Sequence, residues 1–201
     1  MSEAKEILLL RHGKTPGNAL RQYIGSTDES LSPEGRAELA VFQYTPEKAV
    51  YISPMLRCRE TAELLFPGAE LISVDDLREM DFGHFEGRSY LDMAEDAEYL
   101  AWLETNCESP VPGGESKADF TERCCAAFEK ILAADGSDRL VFVVHGGTIM
   151  AIMERFALPQ RGFYAYLMSN GGGYTCDVRW TAQGLPILQN VKEVRHEAKF
   201  I

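Results

Sequence analysis

Apolar positions along this chain fall into short unbroken runs separated by stretches of helical spacing. Ile7-Leu8-Leu9-Leu10 and Leu140-Val141-Phe142-Val143-Val144 are continuous runs, the pattern of strands buried on both faces. Strands are therefore expected at about Glu6–Arg11, Ala49–Ile52, Glu70–Val74 and Leu140–Val144. Three later strands are expected at Phe163–Met168, Tyr174–Trp180 and Ile187–Val191, the first two joined by Asn170-Gly171-Gly172-Gly173. Between them lie helical patterns. Ser32 suits an N-cap and Pro33 a first helical position, with apolar spacing over Ala37–Phe42. Further helices are predicted from Met55 to Phe66, ended by Pro67-Gly68, then around Tyr90–Leu103, from Ser116 to Ala134, and over Ile149–Phe156 after Gly146-Gly147-Thr148. Strands alternating with helices predict an α/β three-layer sandwich, a mainly parallel central sheet with helices on both faces. Residues 75–114 are the least regular stretch and are expected to build a pocket wall.

Composition narrows the function classes. At 201 residues, the chain is expected to be one domain, residues 1–201. No apolar run approaches the ~20 residues of a membrane span, and Met-Ser-Glu-Ala-Lys-Glu has no apolar core of a secretory signal. A cytoplasmic location is the expectation. Five cysteines, an odd number without CxxC spacing, fit free thiols in a reducing compartment. No zinc-like or calcium-like spacing is found, so no metal or cofactor is expected. A net charge of −11 argues against nucleic-acid or anionic-membrane partners. It leaves room for a small phosphorylated substrate held by a few arginines. The oligomeric state stays open.

The two apolar runs end alike, in Arg11-His12-Gly13 and in His145-Gly146-Gly147. Ligands of open α/β sheets bind beyond the carboxyl ends of the strands. Side by side, these strands would bring both histidines to one end of the sheet, a cationic pocket suited to a phosphoryl group. Gly13 is expected to allow a sharp turn and a close ligand approach.

Further motifs follow in order. They are Arg11-His12-Gly13-Lys14-Thr15 with Asn18, Ser53-Pro54-Met55-Leu56-Arg57 with Thr61-Ala62, and Leu77-Arg78-Glu79 with Phe82-Gly83 and Phe85-Glu86-Gly87. Pro112-Gly113-Gly114-Glu115-Ser116 and His145-Gly146-Gly147 complete the series. Over about Ile7–Ile152 the chain resembles the histidine phosphatase superfamily, the phosphoglycerate mutase-like fold. That resemblance implies a metal-independent phosphomonoester hydrolase working through a phosphohistidine on His12. One ring nitrogen of His12 must then be unprotonated, its tautomer fixed by a carbonyl at the other nitrogen. The resemblance also implies Arg11 and Arg57 as phosphate clamps, a task for which the guanidinium fork is shaped. It makes His145, charged when phosphate is bound, a second phosphate ligand and Asn18 an amide donor. The Gly146 N–H at a helix start reads as a further donor. Glu79 becomes the general acid, protonating the leaving oxygen and then activating water.

Competing readings stand beside these. Glu86 and Glu115 are rival carboxyl groups, and Asn18 can serve as a cap or turn residue. Arg59, about 200° round a helix from Arg57, reads as a solvated surface residue. His84 and His196 read as surface or packing histidines and Cys124-Cys125 as helix packing. Tyr164, Tyr166 and Tyr174 read as strand packing, with one of them a candidate for a pocket mouth. The segment Arg21–Ser32 resembles that of α-ribazole phosphatase-type members, which makes α-ribazole phosphate one candidate substrate. The alternatives are a phosphoglycerate mutase-type phosphoryl transferase, disfavoured by the short interval between Arg57 and Glu79, and a non-catalytic phosphoprotein-binding domain.

Overall fold

The computed structural model describes residues 5–194. Strands β1 (Lys5–Arg11), β2 (Ala49–Ile52), β3 (Glu70–Ser73), β4 (Arg139–Val144), β5 (Gly173–Trp180) and β6 (Pro186–Val194) form one sheet in the order β3-β2-β4-β1-β5-β6. The first four strands in that order are parallel. β5 and β6 add an antiparallel edge. The two continuous apolar runs are thus the neighbours β1 and β4, in register with Arg11 opposite Val144. The His12 N–H donates to the Val144 carbonyl at 2.9 Å, so the pairing extends to the residue that carries the first imidazole.

Both faces of these strands are covered, which is why their sequences run apolar without alternation. Ile7 and Leu9 of β1 join Leu140, Phe142 and Val144 of β4 in one core. Leu8, Leu10, Val141 and Val143 point into the other. The helices are α1 (Pro16–Ala19), α2 (Pro33–Ala40), α3 (Leu56–Leu65), α4 (Ala97–Glu104), α5 (Lys117–Ala134) and α6 (Gly146–Phe156). α5 and α6 cover the first face through Phe120, Phe128, Ile149 and Met153. α2 and α3 cover the second through Leu39, Cys58, Ala62 and Leu65. Burial of each large apolar side chain stabilises the fold by about 1.5–3 kcal/mol. Ser32 caps α2, its Oγ accepting from the Gly35 N–H at 3.0 Å.

The structure departs from the expected elements in several places. Residues 163–166 form a 3₁₀ turn rather than a strand. Phe163 and Tyr166, three positions apart, are both buried, and a three-residue turn brings such a pair to one side. The helix expected over Tyr90–Leu103 begins only at Ala97, because the Asp96 carboxylate caps it there by accepting from the Glu98 and Tyr99 N–H groups. The α2 helix spans Pro33–Ala40 and stops short of Phe42. α1 is an additional element; its four residues are stapled by a reciprocal pair of bonds between Thr15 and Asn18. His196 lies outside the described residues.

Candidate active site

β1 delivers His12 to the carboxyl end of the sheet, where the ring is almost completely buried. Its Nδ1 lies 2.7 Å from the Gly13 carbonyl oxygen. A carbonyl can only accept, so Nδ1 carries the proton and Nε2 keeps a free lone pair. Burial, followed by the nearby Arg57 and Arg11 charges, holds the His12 pKa well below its ordinary value. Gly13 also has a packing reason for being glycine. A Cβ there would come within 2.6 Å of Leu39 Cδ1, so the missing side chain makes room for the core under β1. The Gly13 N–H donates to Thr61 Oγ1 at 2.9 Å, tying this turn to α3.

The second histidine lies beside the first, the two ring centroids 5.3 Å apart and crossed at 66°. His145 is fully buried and uses both nitrogens on protein partners. Arg57 Nε donates to its Nδ1 at 3.3 Å, and its Nε2 therefore donates to Ser53 Oγ at 2.7 Å. Burial first, then the Arg57 charge, lowers its pKa well below the usual value, so both imidazoles are neutral in this structure. Arg57 is also fully buried. It donates to the Thr27 carbonyl at 2.7 Å and to the Gly25 carbonyl at 2.8 Å. Arg11 donates from Nη1 to the Met168 carbonyl at 2.8 Å. Its buried Nε has no acceptor among the described residues. Arg59, by contrast, is exposed on α3.

The three carboxyl candidates separate by their partners. Glu79 accepts from the Met80 N–H at 3.0 Å and from the Gly147 N–H, in the first turn of α6, at 2.9 Å. Burial raises its pKa against those bonds, which favours the protonated acid. Glu86 instead gathers the Gly25, Ser26, Thr27 and Phe82 N–H groups and the Thr27 hydroxyl. Burial alone would raise its pKa, but these donors, the Thr27 hydroxyl foremost, outweigh it and keep the carboxyl below its ordinary range. Glu86 thereby shapes the loop whose carbonyls hold Arg57. Glu115 forms a two-point ion pair with Arg123, at 2.6 and 2.8 Å. Arg123 also donates to the carbonyls of Asp76, Arg78 and Glu79. One guanidinium thus fixes the backbone of the segment that carries Glu79, a role with no sign in the local sequence.

Asn170, which reads from sequence as part of a connector, is a second residue of this kind. Its Nδ2 donates to Asn18 Oδ1 at 2.9 Å and to the His12 carbonyl at 3.2 Å. Asn18 Oδ1 also accepts from the Thr15 N–H. With its oxygen engaged twice, Asn18 leaves its NH₂ group for the cavity that it lines. Asn18 is therefore both a turn residue and a potential donor.

Arg11, His12, Asn18, Glu79 and Gly146 line a single cavity of about 290 Å³. Arg57 and His145 do not; they sit behind it. Residues of the irregular stretch, among them Met80, Phe82, Trp102 and Cys107, build part of its wall. Tyr164 stands at the cavity, whereas the Tyr166 and Tyr174 rings pack on each other 5.9 Å apart. His84 is exposed and paired with Glu98. Cys124 and Cys125 are buried on α5, and all five cysteines are free.

The site residues fall within a stretch, 7–186, that matches the family model described as histidine phosphatase superfamily (branch 1). A metal-independent phosphoserine phosphatase of Arabidopsis thaliana is 31% identical over 165 residues, 77% of this chain and 69% of that protein. The crystal structure of a phosphoglycerate mutase from Thermus thermophilus is 30% identical, with a TM-score of 0.68 over 94% of this chain and 98% of its own. An α-ribazole phosphatase from Shigella flexneri shares the fold at 20% identity, with a TM-score of 0.76 over 91% and 95% of the two chains. The family match spans both histidine-bearing strands, and the chain belongs to branch 1 of the histidine phosphatase superfamily.

Proposed function

We propose that this histidine phosphatase hydrolyses small phosphomonoesters without a metal, through a phosphohistidine on His12. The observation that carries the reading is the Nδ1–Gly13 bond of 2.7 Å, which leaves Nε2 as a lone-pair donor in the cavity shared with Arg11 and Glu79. In the first step Nε2 attacks phosphorus and the ester P–O bond breaks. The Glu79 carboxylic acid gives its proton to the departing oxygen, so the alcohol leaves neutral. In the second, the Glu79 carboxylate takes a proton from water as the water oxygen attacks phosphorus. The P–N bond breaks, inorganic phosphate departs, and both groups return to their starting forms.

Arg11, whose side chain lines the cavity, and Asn18, through its NH₂, would hold the phosphoryl oxygens, with the Gly146 N–H at the start of α6 as a further donor. Arg57 uses three of its five N–H groups on Gly25, Thr27 and His145. The remaining two and its charge would act on the phosphoryl group from behind His12. His145 would act chiefly by aligning Arg57 and would gain a proton only when phosphate adds negative charge beside it.

Turnover of p-nitrophenyl phosphate in EDTA tests the reading, with acid-labile, base-stable labelling of the protein as the second readout. His12→Ala is expected to lower kcat by about a thousandfold or more. Equal rates in the two proteins would remove His12 from the chemistry. A mutase reading is favoured by one observation, the 30% identity to the Thermus thermophilus phosphoglycerate mutase. Interconversion of 3- and 2-phosphoglycerate faster than phosphate release would decide for it. α-Ribazole phosphate belongs among the hydrolysis substrates assayed. The five free thiols support a reducing, cytoplasmic location.

A further inference from the structure

Beyond the phosphoryl end, the cavity wall is made of rings. Tyr23, Phe82, Trp102, Phe163 and Tyr164 all line it. Tyr23 packs edge-on against Phe82 at 5.0 Å and against Trp102 at 6.0 Å. Phe163 and Tyr164 form a second edge-to-face pair at 5.2 Å. The polar ends of two of these rings are already engaged elsewhere. The Tyr23 hydroxyl bonds the Tyr99 hydroxyl at 3.0 Å, and Trp102 Nε1 donates to the Ser109 carbonyl at 3.1 Å. What those two residues offer a ligand is mostly carbon.

Charge on this wall is sparse. Apart from Arg11 and Glu79 at the phosphoryl end, Lys117 is the only charged side chain lining the cavity among the described residues. Its ammonium is committed to Glu108 at 2.6 Å and lies 4.8 Å from the Phe163 ring centroid. A leaving group bearing a carboxylate and an ammonium would lose water here and find no second ion pair to replace it. A flat apolar body would instead meet carbon, from these rings and from Ile24, Met80, Met150 and Leu167.

We infer that the cavity selects phosphomonoesters whose alcohol carries an aromatic ring, over small acidic esters of the phosphoserine or phosphoglycerate kind. The inference rests on the phosphatase reading for its reaction and on the ring-lined wall for its selectivity. Gln22, a second side-chain amide lining the cavity besides Asn18, could address a ring substituent.

The test compares 2-phenylethyl phosphate with n-propyl phosphate, O-phospho-L-serine and 3-phosphoglycerate. All four leave as alkyl alcohols, so binding rather than leaving-group acidity dominates the comparison. kcat/KM for the phenylethyl ester should exceed that for the propyl ester by about tenfold or more, the scale on which an apolar pocket discriminates, with both acidic esters below the propyl one. Tyr164 is 59% exposed, so Tyr164→Ser should fold, and it should shrink the phenylethyl-to-propyl ratio at least threefold. A ratio near one, or a Tyr164→Ser ratio equal to wild type, overturns the inference. So does a preference for phosphoserine or 3-phosphoglycerate, and its disappearance in Lys117→Met would name Lys117 as the carboxylate site instead. Calorimetric binding of 3-phenylpropylphosphonate against n-butylphosphonate repeats the comparison without chemistry. Tighter binding of the phenyl compound with no hydrolysis of any ester would sink the phosphatase reading and leave the selectivity standing; equal binding sinks the selectivity whatever the rates.

Discussion

Arg123 Nη2 donates to the backbone carbonyl of Glu79 at 3.0 Å, so a residue in the first half of α5 sets where the proposed acid stands. The same guanidinium holds the Asp76 and Arg78 carbonyls and is itself held by Glu115. A lysine ammonium is a point charge and cannot reproduce that fork. Arg123→Lys should lower kcat/KM for alkyl phosphates about tenfold, a quantity that ends with departure of the alcohol and leaves out the second Glu79-assisted step shared by all esters. p-Nitrophenyl phosphate should lose much less, because its leaving group departs without a proton. Equal losses on both esters would mean that Arg123 supports the fold rather than the acid.

Gly147 gives a complementary perturbation from the other side. A Cβ there would collide with Glu79 Oε1, while the backbone is not in the left-handed region. Gly147→Ala should stay folded while alkyl-ester turnover falls, the added Cβ pressing on Glu79 and on the Phe120 ring. Alkyl-ester turnover equal to wild type would show that Glu79 can move aside without cost to the reaction.

The pH dependence follows from two shifts of opposite sign. His12 must be neutral to attack, and burial keeps it neutral to well below its usual range. Glu79 must be protonated to assist departure, and burial raises its pKa from 4.5. kcat/KM on alkyl esters should therefore fall on the acid side as His12 takes up a proton and on the alkaline side as Glu79 loses one. Glu79→Gln should have a low rate with the alkaline limb gone. Persistence of that limb would assign it to another group.

Stability should carry a separate pH signature. In the unfolded chain His12 and His145 bind protons below about pH 6.5, whereas in the folded protein they do so only at much lower pH. Their contribution is thus intact above about pH 6.5 and is lost as pH falls, at up to about 1.4 kcal/mol per pH unit for each histidine. Urea unfolding between about pH 6.5 and about pH 5.5 should show this slope, reduced by Glu79, whose raised pKa acts in the opposite sense. His145→Gln should make the slope shallower than wild type by one histidine's share, whatever its effect on absolute stability.

The central strands are legible in the sequence because β1 and β4 are covered on both faces and need no polar positions. Ser32-Pro33 is legible because a cap and an N1 proline act within one turn. The 163–166 turn resembles a strand because its aromatic content suits strands, while its three-residue burial spacing shows only against α6. At the site, His12, Arg11, Glu79 and Asn18 emerge from the sequence as a set, but their depths do not. Nothing local says that Arg57 and His145 stand behind the cavity and not on its wall. Arg123 and Asn170 escape sequence reasoning for the same reason. Their partners, Glu79 and Asn18, lie far away in sequence, and a side chain that bonds a distant backbone leaves no periodic trace.

The register that sets Arg11 opposite Val144 also constrains how such a protein can diverge. Each imidazole is anchored one step past a ladder of parallel bonds, so adding or deleting one residue in either strand would swing a ring to the opposite face of the sheet. The ring-bearing wall hangs on turns and helix ends, where insertions are absorbed far more easily. The two imidazoles of the proposed chemistry thus depend on strand pairing, and the proposed preference for the alcohol on adjustable loops, which lets a lineage exchange one diet for another without rebuilding its furnace.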